Sequence, residues 1–387
     1  MLIGLLGKAN VGKSTFFSAA TQTPAATGNF PFTTIKPNVG VAHARTKCAC
    51  ADLGISHEHP LCSGGTRLVP VKLMDVAGLV PGAHEGRGLG NQFLDDARQA
   101  DALIHVVDAS GSTDEQGQPV PAGTHDPAGD VRFVEDEFDL WFSGILVRDW
   151  DKISRDAERS RSGPAPGISQ RLSGLGVRDA QVASALQRTG LGARPPKEWS
   201  EDDIRAFSLD LRRDAKPMVV AANKADLRAP EGLGDAIPCS AEAELVLRKA
   251  ASAGLVRYEP GAPSFEETGG ATPQQKKALD AMRAVLGRLP STGVQDAIDA
   301  AVFKLLGMIV AYPVEDESKF SNRDGEVLPD ARLMRPGSTA RDLAGTVHAD
   351  LERGFLHAVN CRTGQRMGGD QELEDGAVVR IVSAQGR

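Results

Sequence analysis

The chain has 387 residues, a length that fits two or three domains. Its 44 basic and 51 acidic side chains give a net charge of −7, which excludes a uniformly basic nucleic-acid binder but leaves room for a local basic patch. Apolar residues at 41% and charged residues at 25% are ordinary globular usage, and five cysteines in a chain this long exclude a disulfide scaffold.

The first predicted element is a buried strand over Leu2–Leu6, which stops at Gly7-Lys8 and is too short for a secretory h-region. Residues 14–20 read as a helix. Short apolar runs at 69–74, 102–107 and 218–222 read as further buried strands, and helical patterns alternate with them. That alternation predicts an α/β fold with a mostly parallel, doubly wound sheet. The gap between 107 and 218 is too long for one crossover, so 130–214 is predicted to be an inserted helical module. Val131, Val134, Phe138, Trp141, Phe142 and Ile145 recur in it at helical spacing. The run SGPAPG at 162–167 is expected to break its first helix, with later helices at 179–187 and 201–213. Thr272-Pro273 predicts a helix start running to about 289. From about 308 strands are expected at 309–314, 355–360 and 378–382, with one helix near 339–348 capped by Ser338. The apolar stretch 297–312 is interrupted by Asp299 and Lys304 and cannot span a bilayer. A cytoplasmic protein with no membrane contact is expected.

Gly7-Lys8-Ala9-Asn10-Val11-Gly12-Lys13-Ser14 fits G-x-x-x-x-G-K-[ST] between a predicted strand and a predicted helix. The two glycines let the backbone wrap so that successive N–H groups point at phosphate oxygens. Lys13 is expected to neutralise the β- and γ-phosphates and Ser14 to ligate Mg²⁺, with Asn10, Val11, Gly12 and Thr15 completing the loop. Asp75-Val-Ala-Gly78 follows the strand at 69–74 and suits a second Mg²⁺ group (Asp75) and a γ-phosphate sensor (Gly78 N–H). Asn223-Lys224-Ala225-Asp226 follows the strand at 218–222. A carboxylate accepts two hydrogen bonds from one planar partner, and guanine offers N1–H and N2–H side by side, so Asp226 reads as a guanine selector. Lys224 is expected to pack over the base and Asn223 to tie this loop to the phosphate loop. Ser240-Ala241 follows another short apolar run, where the Ala241 N–H is placed to meet guanine O6. Thr33 and Thr34 lie between the first two motifs, where a threonine closes over Mg²⁺ and the γ-phosphate.

These elements, with NFPFTTIKPNVG at 29–40, DVAGLVPGAHEGRGLGNQFL at 75–94 and the C-terminal module, resemble the Obg-like GTPases, in particular the YchF-type branch with a C-terminal TGS domain. The resemblance covers nearly the whole chain and is nearest to archaeal-type members that keep NKxD. It implies a P-loop G domain from 1–129 and 215–307, a helical insert at 130–214 and a β-grasp, ubiquitin-like TGS domain at 308–387. It also implies that Thr34 is the Mg²⁺ and γ-phosphate residue, and that function is linked to ribosomes or translation. Relatives with an altered fourth motif tend to prefer ATP; Asp226 makes GTP the expectation here.

Leu79 stands where many small GTPases carry the glutamine that orients water, so slow intrinsic hydrolysis raised by a partner is expected. His84 is the polar candidate for that task, against the reading of a solvated loop histidine. Asn10 resembles the asparagine that superfamily members use to hold K⁺ beside the phosphates. Residues 152–194 carry eight basic side chains (Lys152, Arg155, Arg159, Arg161, Arg171, Arg178, Arg188 and Arg194) against three acidic ones. This marks the insert as a surface for ribosomal or other RNA. The span 308–387, with ten basic and thirteen acidic residues, leaves a protein contact open instead. Cys48, Cys50, His57, His59 and Cys62 have zinc-type chemistry but not a standard CxxC spacing, so thiols without metal are expected. The leading expectation is a GTPase switch. The alternatives are a nucleotide-sensing adaptor with negligible turnover and an ATP-preferring regulatory ATPase.

Overall fold

A computed structural model describes residues 1–23, 38–76, 78, 79, 82 and 96–384. Thr33, Thr34, His84 and Arg87 lie outside the described residues. The chain divides into two compact units: Met1–Val41 with Lys72–Ala301, and Ala42–Val71 with Val302–Arg387. Residues 42–71 therefore group with the C-terminal residues, and the helical residues 130–214 group with the first unit.

Among the described residues the larger sheet is formed by β1 (Leu2–Leu6), β2 (Asn38–Lys47), β3 (Cys62–Ser63), β4 (Thr66–Asp75), β5 (Ala102–Asp108), β6 (Met218–Asn223) and β7 (Ile237–Pro238). Their order is β2-β4-β1-β5-β6-β7, with β3 antiparallel beside β4. β1 runs parallel to β4 and β5, β5 to β6, and β6 to β7. Every residue of β5 is buried, as expected of a strand covered on both faces. Leu5 pairs with Asp75 and Asp108 with Asn223, so these polar residues meet at the carboxyl ends of the parallel strands. Open α/β sheets bind ligands there. The expected mostly parallel sheet is present. β2, β3 and the first three residues of β4 lie outside the expected strands, because His43, Arg45, Thr66 and Arg67 interrupt the apolar signal.

The helices of this unit are α1 (Lys13–Thr21), then α3 to α9, which follow the second unit's short α2 (Ala49–Leu53) in the chain. The insert consists mainly of α3 (Pro127–Ser160), α4 (Ala165–Leu172), α5 (Asp179–Arg188) and α6 (Glu201–Ala215). α3 starts earlier than expected because Asp126 caps it, accepting from the Ala128 N–H at 3.0 Å, and Pro127 fits the first turn. It ends at Arg161 in the left-handed region. α4 restarts at Ala165, so only the first part of SGPAPG is a break. Phe142, Leu146 and Trp150 of α3 pack with Ile168, Val182, Phe207 and Leu211 in a core of the insert's own. Trp150 stacks on Trp199 at 4.6 Å and its Nε1–H donates to Pro196 O at 3.1 Å. α7 (Ala241–Ser252), α8 (Pro273–Leu286) and α9 (Val294–Asp299) complete the unit.

In the second unit, β10 (Ile309–Val314), β11 (Arg332–Met334), β12 (Phe355–Asn360), β13 (Gln365–Met367) and β14 (Ala377–Ser383) form a mixed sheet; the short pair β8 (Val256–Arg257) and β9 (Glu266–Glu267) precede it in the chain. The order is β11-β10-β14-β12-β13, with β10 and β14 parallel at the centre. α10 (Ala340–Val347) packs on it through Ala340, Leu343 and Ala344. This is the expected β-grasp arrangement. A second core joins Val310, Tyr312, Val314 and Val378 to Cys48, Ala49, Cys50 and Val69 from the 42–71 hairpin. The cysteine stretch is thus not a plain loop: Cys48 precedes α2, Cys50 lies within it and Cys62 lies in β3.

The cap of α10 is Thr339, not Ser338. Thr339 Oγ1 accepts from the Asp342 N–H at 3.3 Å, and Asp342 Oδ2 accepts from the Thr339 N–H at 2.7 Å, a reciprocal capping box. Thr339→Ala is expected to lower stability by about 1 kcal/mol in urea unfolding. Ser338→Ala is expected to stay within about 0.5 kcal/mol of the parent.

Candidate functional site

The turn from β1 into α1 wraps without a side-chain cap, and the first turn of α1 carries no acidic residue. The helix start therefore keeps its positive end and its free N–H groups for an anion. Lys13 is buried, and its Nζ donates to the carbonyls of Gly7 at 3.0 Å and Lys8 at 2.7 Å. Burial lowers its pKa to about 8, with the charge of Asp75 acting the other way. His105 on β5 is pushed down to about 3, first by burial and then by the Lys13 charge, so it is neutral and Lys13 carries the cation. Ser14 donates from Oγ to Asp75 Oδ2 at 2.8 Å. Burial pushes the Asp75 carboxyl above its ordinary value, against the Ser14 hydrogen bond and the Lys13 charge. Two hard oxygen donors side by side, one of them an acid short of positive charge, fit a Mg²⁺ ion that keeps waters of its own.

Gly78 sits against the loop: a Cβ there would lie 3.1 Å from Ala9 N and 3.5 Å from Lys13 Nζ. Leu79 donates its N–H to Gly7 O at 3.1 Å and is 2% exposed, packed beside Leu6, Met74 and Val76. Its side chain is core.

Asn223 ends β6 and is buried. Its Nδ2 donates to Val11 O at 2.8 Å, and its Oδ1 accepts from the Ala241 N–H at 2.9 Å. Gly12, at φ 98°, makes room for this: a Cβ would stand 2.3 Å from Asn223 Nδ2. The tie between Asn223 and the phosphate loop is as expected. The Ala241 N–H is not: it was assigned to guanine O6 and instead serves Asn223. Ser240 caps α7, accepting from the Ala243 N–H. Asp226 is half-buried, and its carboxylate has no hydrogen-bond or ion-pair partner among the described residues.

Three groups were missed. Asp108, at the end of β5, holds Lys224 Nζ at 2.8 Å and accepts from Ser110, Ser112 and Thr113. Burial alone would raise it, yet the hydrogen bonds from Lys224, Ser110 and Ser112 hold its carboxyl below the usual range. The available signal was DASGST directly after an apolar strand. Lys8 is 2% exposed; its Nζ donates to Thr113 O at 2.9 Å and Asp114 O at 2.7 Å and lies 2.6 Å from Asp130 Oδ2 in the first turn of α3. Glu137, two turns along α3, accepts from the Gly82 N–H at 2.7 Å. Lys8 of the phosphate loop and Gly82 are therefore both tied to one 34-residue helix of the insert. Asn10 Nδ2 donates to Gly117 O at 2.9 Å, which fixes the amide at the loop's exposed rim.

Half of the basic run of the insert is answered by carboxylates, several from outside 152–194. Arg171 pairs with Asp149, Arg188 with Asp210 and Asp214, and Arg194 with Asp203. Among the described residues no helix is long and apolar enough to cross a membrane.

Residues 2–124 match a model described as 50S ribosome-binding GTPase, 221–316 match the G4 motif-containing domain of YGR210-like Obg-like GTPases, and 323–383 match the TGS domain. A GTP-binding protein of Methanocaldococcus jannaschii is 44% identical across 99% of both chains. The ribosome-binding ATPase YchF of Bacillus subtilis is 26% identical over 92% of this chain and 87% of its own. A crystal structure of a GTP-binding protein from Pyrococcus horikoshii OT3 superposes with a TM-score of 0.76 at 42% identity, covering 99% of this chain and 100% of the other.

A polyphosphate anion beside Lys13 favours the charged ammonium and raises its pKa above about 8. Binding of GDP at pH 8 is therefore expected to take up roughly half a proton, and affinity to fall as pH rises past 8. Calorimetry in two buffers of different ionisation enthalpy reads the proton count; no uptake at pH 8 contradicts the assignment.

Proposed function

Because the chain belongs to the Obg-like/YchF GTPase family, built on a G domain and a TGS domain, we propose that it binds GTP with Mg²⁺ and hydrolyses it to GDP and phosphate as a ribosome- or translation-associated switch. The observation that carries this reading is the meeting of the loop at 7–14, Asp75-Gly78 and Asn223–Asp226 at one end of a parallel sheet.

In the proposed mechanism the phosphates enter over the N-terminus of α1. Lys13 swings from the Gly7 and Lys8 carbonyls to the β- and γ-phosphates, and the N–H groups of residues 10–15 complete the cradle. Ser14 and Asp75 would hold Mg²⁺, which would supply charge to offset that of the transferred phosphoryl group. Gly78 lies close enough to Lys13 for its N–H to meet the γ-phosphate. Asp226 accepts N1–H and N2–H of guanine, while Lys224, its ammonium held by Asp108, lays its stem along the base. Thr34 and His84 lie outside the described residues; Thr34 is proposed to close over the metal and His84 to orient water. Leu79 is buried and apolar, so turnover is proposed to be slow until a partner or a K⁺ ion at Asn10 supplies what is missing.

Switch output is assigned to the insert, 130–214 in this proposal. Lys8–Asp130 and Gly82–Glu137 place both nucleotide-facing loops on α3, so a change at either loop loads one helix. Ribosomal RNA is proposed to meet the insert and a protein the TGS domain at 308–387. With Arg159, Arg171, Arg188 and Arg194 paired, the RNA contact is proposed to rest on Lys152, Arg155, Arg161 and Arg178. A second reading, an ATPase, is favoured by the names of the relatives near 26% identity, which are ATPases.

Binding of labelled GTP and ATP to the parent and to Asp226→Asn separates these. The proposal expects GTP to bind at least tenfold tighter in the parent, about 1.4 kcal/mol, and the preference to vanish in Asp226→Asn. Equal affinity for ATP in the parent overturns guanine selection and leaves the ATPase reading.

A further inference from the structure

We propose that Cys48, Cys50, His57 and Cys62 form a structural zinc site that cross-links the 42–71 segment, tying α2 to β3. One ligand atom from each of the four lies within 4.8 Å of all the others. Cys48 Sγ is 3.7 Å from His57 Nε2, Cys62 Sγ is 3.3 Å from the same nitrogen, and Cys50 Sγ is 4.0 Å from Cys62 Sγ. A tetrahedral zinc with ordinary Zn–S and Zn–N bonds needs S···S edges of about 3.8 Å and S···N edges of about 3.5 Å. The Cys48–His57, Cys62–His57 and Cys50–Cys62 distances are close to those edges, and no pair in the cluster is farther apart than 4.8 Å. A disulfide would need the sulfurs at about 2.04 Å, so the cysteines are arranged for a shared ion and not for each other.

The surroundings hold the ligands in place. Cys48 donates its N–H to Gly65 O at 2.8 Å and Cys62 donates to His59 O at 2.9 Å. His57 Nδ1 lies 3.0 Å from Val327 O, which fixes the proton on Nδ1 and leaves the Nε2 lone pair facing the sulfurs. Histidine ligands of metals are oriented by such an outer hydrogen bond. His59 is excluded: its Nδ1 accepts from the Leu61 N–H at 3.0 Å, and Nε2 faces Pro329 O at 3.1 Å. Cys48 and Cys50 are buried against Tyr312, Val310 and Val378.

Three thiols and an imidazole select a soft-tolerant, tetrahedral dication, and four protein ligands leave no open position for catalysis. On binding, each thiol gives its proton to solvent and the imidazole stays neutral. The expected thiols without metal followed from the C-x-C spacing. The proposal departs from that reading because the start of α2 sets Cys48 and Cys50 together and β3 returns Cys62 to them.

The test is zinc content of the full chain purified without chelator, with Co²⁺ titration of the chelator-stripped protein as an independent readout. Expected are about one zinc per chain and the tetrahedral ligand-field and thiolate charge-transfer bands of bound cobalt. Cys62→Ser and Cys48→Ser should lose at least nine-tenths of the zinc while nucleotide binding holds, and His59→Ala should keep it. The proposal is overturned by a reduced parent chain with neither zinc nor cobalt bands, by zinc content unchanged in both cysteine variants, by a Cys50–Cys62 disulfide in place of metal, or by a coloured iron centre. If a serine variant does not fold, the cobalt spectrum of the parent decides alone.

Discussion

Asn223 spans two loops with one amide, giving Nδ2 to Val11 O and taking the Ala241 N–H on Oδ1. Both partners are backbone groups in a buried site, where an unmade hydrogen bond costs about 1–3 kcal/mol. The amide reaches Val11 only because Gly12 has no side chain in the way. It starts from the right place because the parallel register sets Asn223 beside Asp108. Ala109 then donates its N–H to Asn223 O, and Ala225 donates to Cys239 O. The phosphate loop, the end of β5 and the turn into α7 are thus held in a common arrangement before any ligand arrives.

The two lysines of the phosphate loop divide its work. Lys13 rests on loop carbonyls, those of Gly7 and Lys8, at the start of α1. Lys8 is committed elsewhere, to Thr113, Asp114 and Asp130. A buried ammonium requires that carboxylate, and removing either partner from such a pair costs about 3–5 kcal/mol. The consequence is mechanical: the loop cannot move far without loading the first turn of α3. Glu137 of the same helix also accepts from the Gly82 N–H. At about 1.5 Å per residue, a continuous helix carries such a load deep into the insert.

Much of this was legible because it is local. A glycine-rich loop between an apolar strand and a helix, or an Asn-Lys-x-Asp after a strand, spells its own context. The β-grasp module was recognisable for a different reason, a family resemblance that implied its fold. What escaped depended on distant partners. Asp108 has no motif, and its role appears only when Lys224 arrives from 116 residues away. The charge of 152–194 counted as basic because the count stopped before Asp203, Asp210 and Asp214, which face those arginines from α6. The metal-type cluster hid behind irregular spacing, since ligands on α2 and β3 meet through a hairpin. Ser338 and Thr339 are adjacent cap-forming residues, and only the carboxylate of Asp342 chooses between them.

The claim that most needs a direct reading is that nucleotide state reaches the insert through α3. Hydrogen exchange of the full chain, with a non-hydrolysable GTP analogue and then with GDP, reads it amide by amide. The account predicts that protection in the first turns of α3, around Asp130 to Glu137, differs between the two states together with the loop at 7–15. A change confined to the loop, with α3 exchanging identically in both states, would contradict it.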